Sequence, residues 1–573
     1  MNSAATDHSA ASVADGLASG AAAMRAWWRP DPAGAFAGLA FAVLSVTPSL
    51  LPRPAVLQGA LAAVAFAVGY LVGVLLRVLL RRVLSGKVLS DRVPNSGARA
   101  MRRRWWVIYL VLWAVSLLVF SALAVTWQNE VRRLVSMPPL GGADIGGFFL
   151  AFLPLATLLV LAGRATLGMH RSLRRHLHAL VAGLAVTAAV MVCVGGLVSI
   201  AMVSIDGIYL QRNGAPDADI AEPASAYRSA GPISAVEWQT LGRHGAAFVG
   251  GGPSAQQIAD LTGGPALEPI RVYAGLASAP TIEDRAALIV AELERTGAFD
   301  RSVLVVATTT GSGWLEPQTV DAIEYLHGGD TAIASMQYAY TPSWVSFVFD
   351  PDAPVEAARV LFEAVEQRWL EVPEGSRPML VSYGLSLGAH GGQAVFADLD
   401  DLRARTDAAL FVGSPNGSAL WQTLQAQRDS GSPVWQPVLD EGEEVRWISR
   451  AGDETKLTGP WRFPRVLYLQ HATDPVTWLS PQLLFRSPEW LEAEQRSPDV
   501  SPSMRWIPVV TALQVTIDML GGEAVPAQFG HNFGDVVVTG WREVAGDAGL
   551  DAAAIARIQA EIESYAPIPS YVE

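Results

Sequence analysis

The chain has 573 residues, 51% of them apolar and 17% charged, with 52 Gly, 36 Pro, 18 Trp and a single Cys. That is long for one domain, and so little charge with a mean hydropathy of +0.28 argues against a wholly soluble or a disordered protein. A net charge of -13 speaks against a nucleic-acid partner, and one cysteine, Cys193, allows neither an intramolecular disulfide nor a thiolate zinc site.

The average conceals two different polymers. Residues 1–204 carry 18 basic and six acidic side chains, a net of +12, whereas the remainder carries 23 and 48, a net of -25. In the basic half, apolar runs near the roughly 20 residues that cross a bilayer recur between charged connections. Five are expected, at about 33–51, 55–80, 105–127, 145–163 and 179–203. Pro48 interrupts the first, and only Leu51-Pro52-Arg53-Pro54 separates it from the second, so these two read as a tight helical hairpin. The first run is the weakest, and four spans remain if it is re-entrant.

Basic residues in short connections set orientation. Fifteen lie on one side: Arg25 and Arg29, the group from Arg77 to Arg104, and Arg164, Arg171, Arg174 and Arg175. Only Arg53, Arg132 and Arg133 lie on the other. With the majority in the cytoplasm of a bacterial plasma-membrane protein, the N-terminus is expected inside and everything after the last span outside. The resulting partition is a flexible N-terminus over 1–32, a transmembrane helical domain over 33–204, a connector over 205–232 and a catalytic domain over 233–573. The lipid bilayer is the expected partner; the oligomeric state is open.

In the acidic half, short β-branched runs at 270–273, 302–307, 331–337, 378–383, 408–412 and 465–470 alternate with amphipathic helical patterns such as 317–327 and 355–370. Strand and helix in alternation imply a mainly parallel sheet flanked by helices, whose active site lies at the carboxyl ends of the strands.

One strand runs directly into Gly384-Leu385-Ser386-Leu387-Gly388 and then a helical stretch. This is the pattern of a nucleophile elbow, in which glycines relieve crowding at a strained strand-to-helix turn. A serine nucleophile needs a base, and the base an orienting carboxylate. Three histidines follow Ser386. His390 lies one helical turn on and reads as a packing residue; His471 precedes the candidate acid. His531, in Gly530-His531-Asn532, reads as the base. Asp474, in His471-Ala472-Thr473-Asp474-Pro475, reads as the acid, ahead of Asp453 and Asp499, which read as solvated loop residues, and of Asp518 on a predicted helix. The oxyanion hole needs two backbone donors: the amide of Leu387, and one from the loop Thr308-Thr309-Thr310-Gly311-Ser312-Gly313-Trp314, with Thr310 and Gly311 as candidates. Trp314, Trp344, Trp421 and Trp478 are candidates for an acyl groove. The histidines are too scattered for a metal site, and no cofactor motif is present.

In these four motifs the chain resembles a family of bacterial α/β-hydrolases that carry a multi-span membrane region before the catalytic domain. The resemblance implies an α/β-hydrolase fold, a Ser-Asp-His triad and membrane attachment, and leaves the substrate unnamed. The expectation is a serine hydrolase (esterase- or lipase-like) acting on an ester or thioester of an apolar lipid or cell-envelope substrate. The alternatives are an acyltransferase using the same acyl-enzyme, or a non-catalytic membrane scaffold or transport component with a hydrolase-like domain.

Overall fold

Residues 31–84 and 97–565 are described by the computed structural model. Two compact units result: one from Met1–Thr47, Arg53–Asn129 and Leu140–Val190, the other from Pro48–Pro52, Glu130–Pro139 and Met191–Glu573.

The apolar half forms helices α1 (Pro32–Ser45), α2 (Ala55–Leu84), α3 (Gly97–Leu134), α4 (Gly142–Leu173) and α5 (Ala179–Asn213). Asp31 starts α1 by accepting a hydrogen bond from the Gly34 amide at 3.1 Å, with Pro32 in the first turn. The helix ends at Ser45, before Pro48. Its 14 residues reach only about 21 Å, short of the roughly 30 Å hydrocarbon thickness. Among the described residues four helices, not five, are therefore long and apolar enough to cross a membrane. Within the first unit α1 and α2 form the expected hairpin. Gly34-x-x-x-Gly38 faces Gly69-x-x-x-Gly73; a methyl added to Gly38 would lie 2.8 Å from the Phe66 carbonyl oxygen, and one on Gly69 2.5 Å from that of Ala37. Small residues permit this approach in a medium that supplies no hydrophobic drive between helices. Several polar groups of this unit pair with one another: Arg77 pairs with Asp31, and the Tyr70 hydroxyl accepts from Arg164 at 2.7 Å and from the Asp31 amide at 2.8 Å. The expected cytoplasmic tail lies, apart from its last two residues, outside the described residues, as does the connection over 85–96.

The second unit is built on seven parallel strands: β1 (Ile270–Ala274), β2 (Val303–Thr308), β3 (Thr331–Met336), β4 (Met379–Leu385), β5 (Ala408–Val412), β6 (Val445–Ile448) and β7 (Arg465–Leu469). They lie in the order β1-β3-β2-β4-β5-β7-β6, so β4 is central. Successive residues of a strand enter opposite cores: Leu304, Val306, Ala409 and Phe411 go to one, Val303, Val305, Leu410 and Val412 to the other. Helices Ile282–Thr296 and Ala353–Leu370 cover the first face; Pro317–Leu326 and Val537–Ala545 cover the second. With both faces covered, the inner strands β2 and β5 read as near-continuous apolar runs. Six of the seven strands coincide with the expected runs. β6 was not anticipated, because Val445-Arg446-Trp447-Ile448 is a four-residue edge strand containing an arginine.

Short pieces from between the apolar helices belong to this unit. Leu50, Leu51 and Val135 are buried in its core. Asp518 accepts hydrogen bonds from the amides of Leu50 at 3.1 Å and Leu51 at 3.4 Å and from the Ser49 hydroxyl. Glu130 accepts from the hydroxyls of Ser501 at 2.6 Å and Ser503 at 2.8 Å.

A buried ionic cluster joins β1 to the helix behind it. Arg271 donates to both carboxylate oxygens of Glu324, at 2.8 and 2.6 Å, and pairs with Asp321; its remaining nitrogen donates to the Phe248 carbonyl at 2.8 Å. Replacing Arg271→Met leaves two carboxylates buried without their counter-charge, which typically destabilises by about 3–5 kcal/mol. The midpoint of denaturant unfolding of the solubilised protein is expected to fall accordingly; an unchanged midpoint would show that the cluster does not hold the sheet to its helix.

Candidate active site

The elbow forms as the motif predicts. β4 ends at Leu385, helix Leu387–Ala394 begins at once, and Ser386 between them has φ 56° and ψ -120°. A non-glycine residue in that region is strained by roughly 1–3 kcal/mol. Close packing sustains it: the Ser386 amide donates to the Val412 carbonyl at 2.9 Å, and the Ser386 carbonyl accepts from the His390 amide at 3.0 Å. Gly388 lies against the Thr308 carbonyl with no room for a methyl.

His531 donates from Nδ1 to Asp474 Oδ2 at 2.7 Å, and both side chains are buried. Asp474 is itself oriented, accepting from the Val476 amide at 2.8 Å and the Thr477 hydroxyl at 3.4 Å. The two loops are also tied by backbone: Gly530 donates to Thr473 Oγ1 at 2.9 Å, and its carbonyl accepts from His471 Nδ1 at 3.0 Å. Gly413, at the end of β5, has φ 55°, and a methyl there would collide with the His531 ring. Nε2 of His531 is buried and has no hydrogen-bond partner among the described residues. His531 and Ser386 line the same cavity of about 280 Å³, together with Thr310, Trp314, Trp344, Leu387 and Glu523.

The competing groups are engaged elsewhere. His471 is buried, stacked on Phe533 with centroids 4.2 Å apart, and burial pulls its pKa down to about 4, so it is a neutral packing residue. His390 shares a hydrogen bond with Ser418 at 3.1 Å. Asp453 is not solvated: it is buried, accepts from the amides of Ser449 and Arg450 at 3.0 and 2.9 Å, and pairs with Lys456. Asp499 pairs with Arg450, and Asp518 holds the 49–51 turn.

Two expectations need correction. The amides of Thr310 and Gly311 are both committed, the first to the Trp314 carbonyl at 3.0 Å and the second to Ser343 Oγ at 3.2 Å. The Thr310 hydroxyl, in contrast, is buried and unpartnered among the described residues, and Thr310 lines the cavity. As the first residue of its helix, Leu387 has an amide without an intrahelical acceptor. Finally, Trp421 and Trp478 do not line the cavity. They pack edge-on at 6.4 Å within the hydrophobic core, and Trp421 Nε1 donates to Gln470 at 2.9 Å. Trp314 and Trp344 do line it.

Two acidic residues beside the histidine escaped the sequence reading. Glu523 lines the cavity, and the adjoining Gly522 carbonyl accepts from the His531 amide at 2.7 Å. Glu316 is buried, accepts from the Thr319 hydroxyl and is pushed up to about 7 by burial. The available signal was Gly521-Gly522-Glu523, an acid after a glycine pair close before the His531 loop. Burial disfavours a charged imidazole, but the Asp474 carboxylate, assisted by Glu523 and Glu316, holds the pKa of His531 above its ordinary value of 6.5. A base works only when unprotonated. Any His531-dependent rate should thus fall about tenfold per pH unit on the acid side of an apparent pKa above 6.5. A pH profile of kcat/KM checks this, and an acid limb below 6.5 contradicts it.

Residues 270–558 match an α/β-hydrolase family, and residues 46–253 match the N-terminal region of an α/β-hydrolase family. No curated protein matches the chain, and no solved structure does. The first match spans half of the chain and takes in the whole seven-stranded parallel sheet with the elbow at its centre, so the chain belongs to the α/β-hydrolase family.

Proposed function

We propose that the protein is a membrane-anchored serine hydrolase that cleaves an ester or thioester of an apolar substrate through an acyl-enzyme on Ser386. The observation that carries this reading is the shared cavity: a serine on a strained elbow and an imidazole whose far nitrogen is already bound to a buried carboxylate. In the reaction, Ser386 Oγ attacks the acyl carbon while His531 Nε2 takes its proton. Asp474 holds the tautomer that leaves Nε2 free to accept, and stabilises the imidazolium that forms. The tetrahedral oxyanion is met by the Leu387 amide and the Thr310 hydroxyl. His531 then returns the proton to the leaving group, and a water or alcohol activated by the same imidazole releases the acyl group. Tyr209, Trp344, Phe347 and Met519 give the cavity an apolar wall suited to an acyl chain. The distribution of basic residues supports a catalytic unit outside the cytoplasm of a bacterial cell. That side suits a lipid or cell-envelope ester.

Labelling membranes with a fluorophosphonate probe tests the nucleophile. Ser386→Ala should abolish the labelled band, and labelling that persists in this variant would refute the assignment. The oxyanion proposal has its own test: Thr310→Val, close in shape, should lower kcat on an ester about 10²–10³-fold with little change in KM. A variant with full kcat would remove Thr310 from the mechanism.

A further inference from the structure

The mouth of the cavity is bordered by apolar side chains that the second unit leaves in the open. Helix Val510–Asp518 and the turn Met519–Gly521 continue from Val509. Val509 at the start of the helix, Leu513 within it and Leu520 in the turn after it are 49%, 54% and 41% exposed. Ala512, Val515 and Asp518 of the helix are buried. A soluble surface helix would show the reverse arrangement on its outer side. Met519 and Leu520 form part of the cavity wall. Another part of that wall is helix Ser343–Phe349, which exposes Trp344 and Phe349. The apolar patch extends past Val509, whose amide donates to the Leu484 carbonyl at 3.0 Å, to the exposed Phe485.

The chain itself indicates what covers this rim. Tyr209 lines the same cavity. It lies on α5, one of the four helices apolar enough to span a membrane, whose outward Leu197, Ile200 and Val203 are 68%, 66% and 73% exposed. Tyr209 follows Val203 by six residues, about 9 Å along the helix. Tyr340, just before helix Ser343–Phe349, donates its hydroxyl to Asp206 of α5 at 2.7 Å. The cavity mouth is thus tied to the last turns of a helix whose preceding stretch suits hydrocarbon.

We propose that the rim of Val509, Leu513, Leu520, Trp344 and Phe349 docks into the surface of the lipid bilayer, so that the cavity opens onto the membrane and takes ester substrates laterally from it. This rests on the hydrolase reading for the identity of the substrate, but not for the docking itself. The segment that reaches the bilayer without the catalytic chemistry is the Val509–Leu513 end of the rim, which is outside the cavity wall.

The test uses the full chain reconstituted in phosphatidylcholine vesicles. Val509→Ser/Leu513→Ser should hydrolyse dissolved p-nitrophenyl butyrate within twofold of the native rate, while its rate on p-nitrophenyl palmitate held in the vesicles drops at least tenfold. Equal rates on the vesicle ester, or a parallel loss on both esters, would overturn the proposal. If native protein turns over neither ester and no fluorophosphonate label is incorporated, the hydrolase reading fails instead, and docking is read separately. For this, Leu513→Cys in a Cys193→Ala background carries an environment-sensitive fluorophore. Quenching by lipids with spin labels on the acyl chains is expected. Absence of quenching overturns docking, and if the protein is then a dimer by light scattering, a second copy covers the face.

Discussion

The conformation of one residue organises the catalytic unit. Ser386 sits at φ 56°, a region that a residue with a side chain leaves unless its surroundings over-determine it. Those surroundings are the two strands beside β4 and the helix that follows it. β2 passes Thr308 beneath Gly388, and β5 accepts the Ser386 amide at Val412. Because the sheet is parallel, the ends of β2, β5 and β7 all open on the same edge as the elbow, and they deliver Thr310, Gly413 and Asp474 there.

Around this point the site gathers acidic side chains about one imidazole. Asp474, Glu523 and Glu316 surround His531, while the neighbouring His471 is kept neutral by burial. Burial raises the pKa of Glu316 and of Glu523, which weakens their repulsion of Asp474. The result is an imidazole biased toward accepting a proton, with its other nitrogen locked. His471 has a mechanical part in this: its hydrogen bond to the Gly530 carbonyl, with that of Thr473, fixes the loop from which His531 projects.

The two units draw on the chain in interleaved fashion. Hydropathy divides a sequence linearly, but the short pieces Pro48–Pro52 and Glu130–Pro139 count with the catalytic unit. Leu50 and Leu51 fill its core, and Asp518, a candidate acid by residue type, is occupied in binding their amides. An aspartate that looks chemically available in the sequence is here a cap for a turn more than 460 residues away.

Local chemistry was legible. Strand and helix alternate in the sequence because each element buries its own apolar residues; a glycine-flanked serine after an apolar strand allows few other conformations; and Ser386, Asp474 and His531 stand in an order that the parallel topology can bring together. What the sequence could not supply depends on partners distant in the chain. Whether the run at 33–51 crosses a membrane depends on where its helix stops, and it stops at Ser45. Whether a loop amide is free depends on its acceptor, and Trp314 and Ser343 claim those of Thr310 and Gly311. Whether a tryptophan lines a cavity or fills a core depends on what faces it, and Trp421 and Trp478 face each other. Composition and spacing determine which groups a chain has to offer; only the folded backbone decides which of them are already spent on one another, because a hydrogen bond or a buried face can be used once.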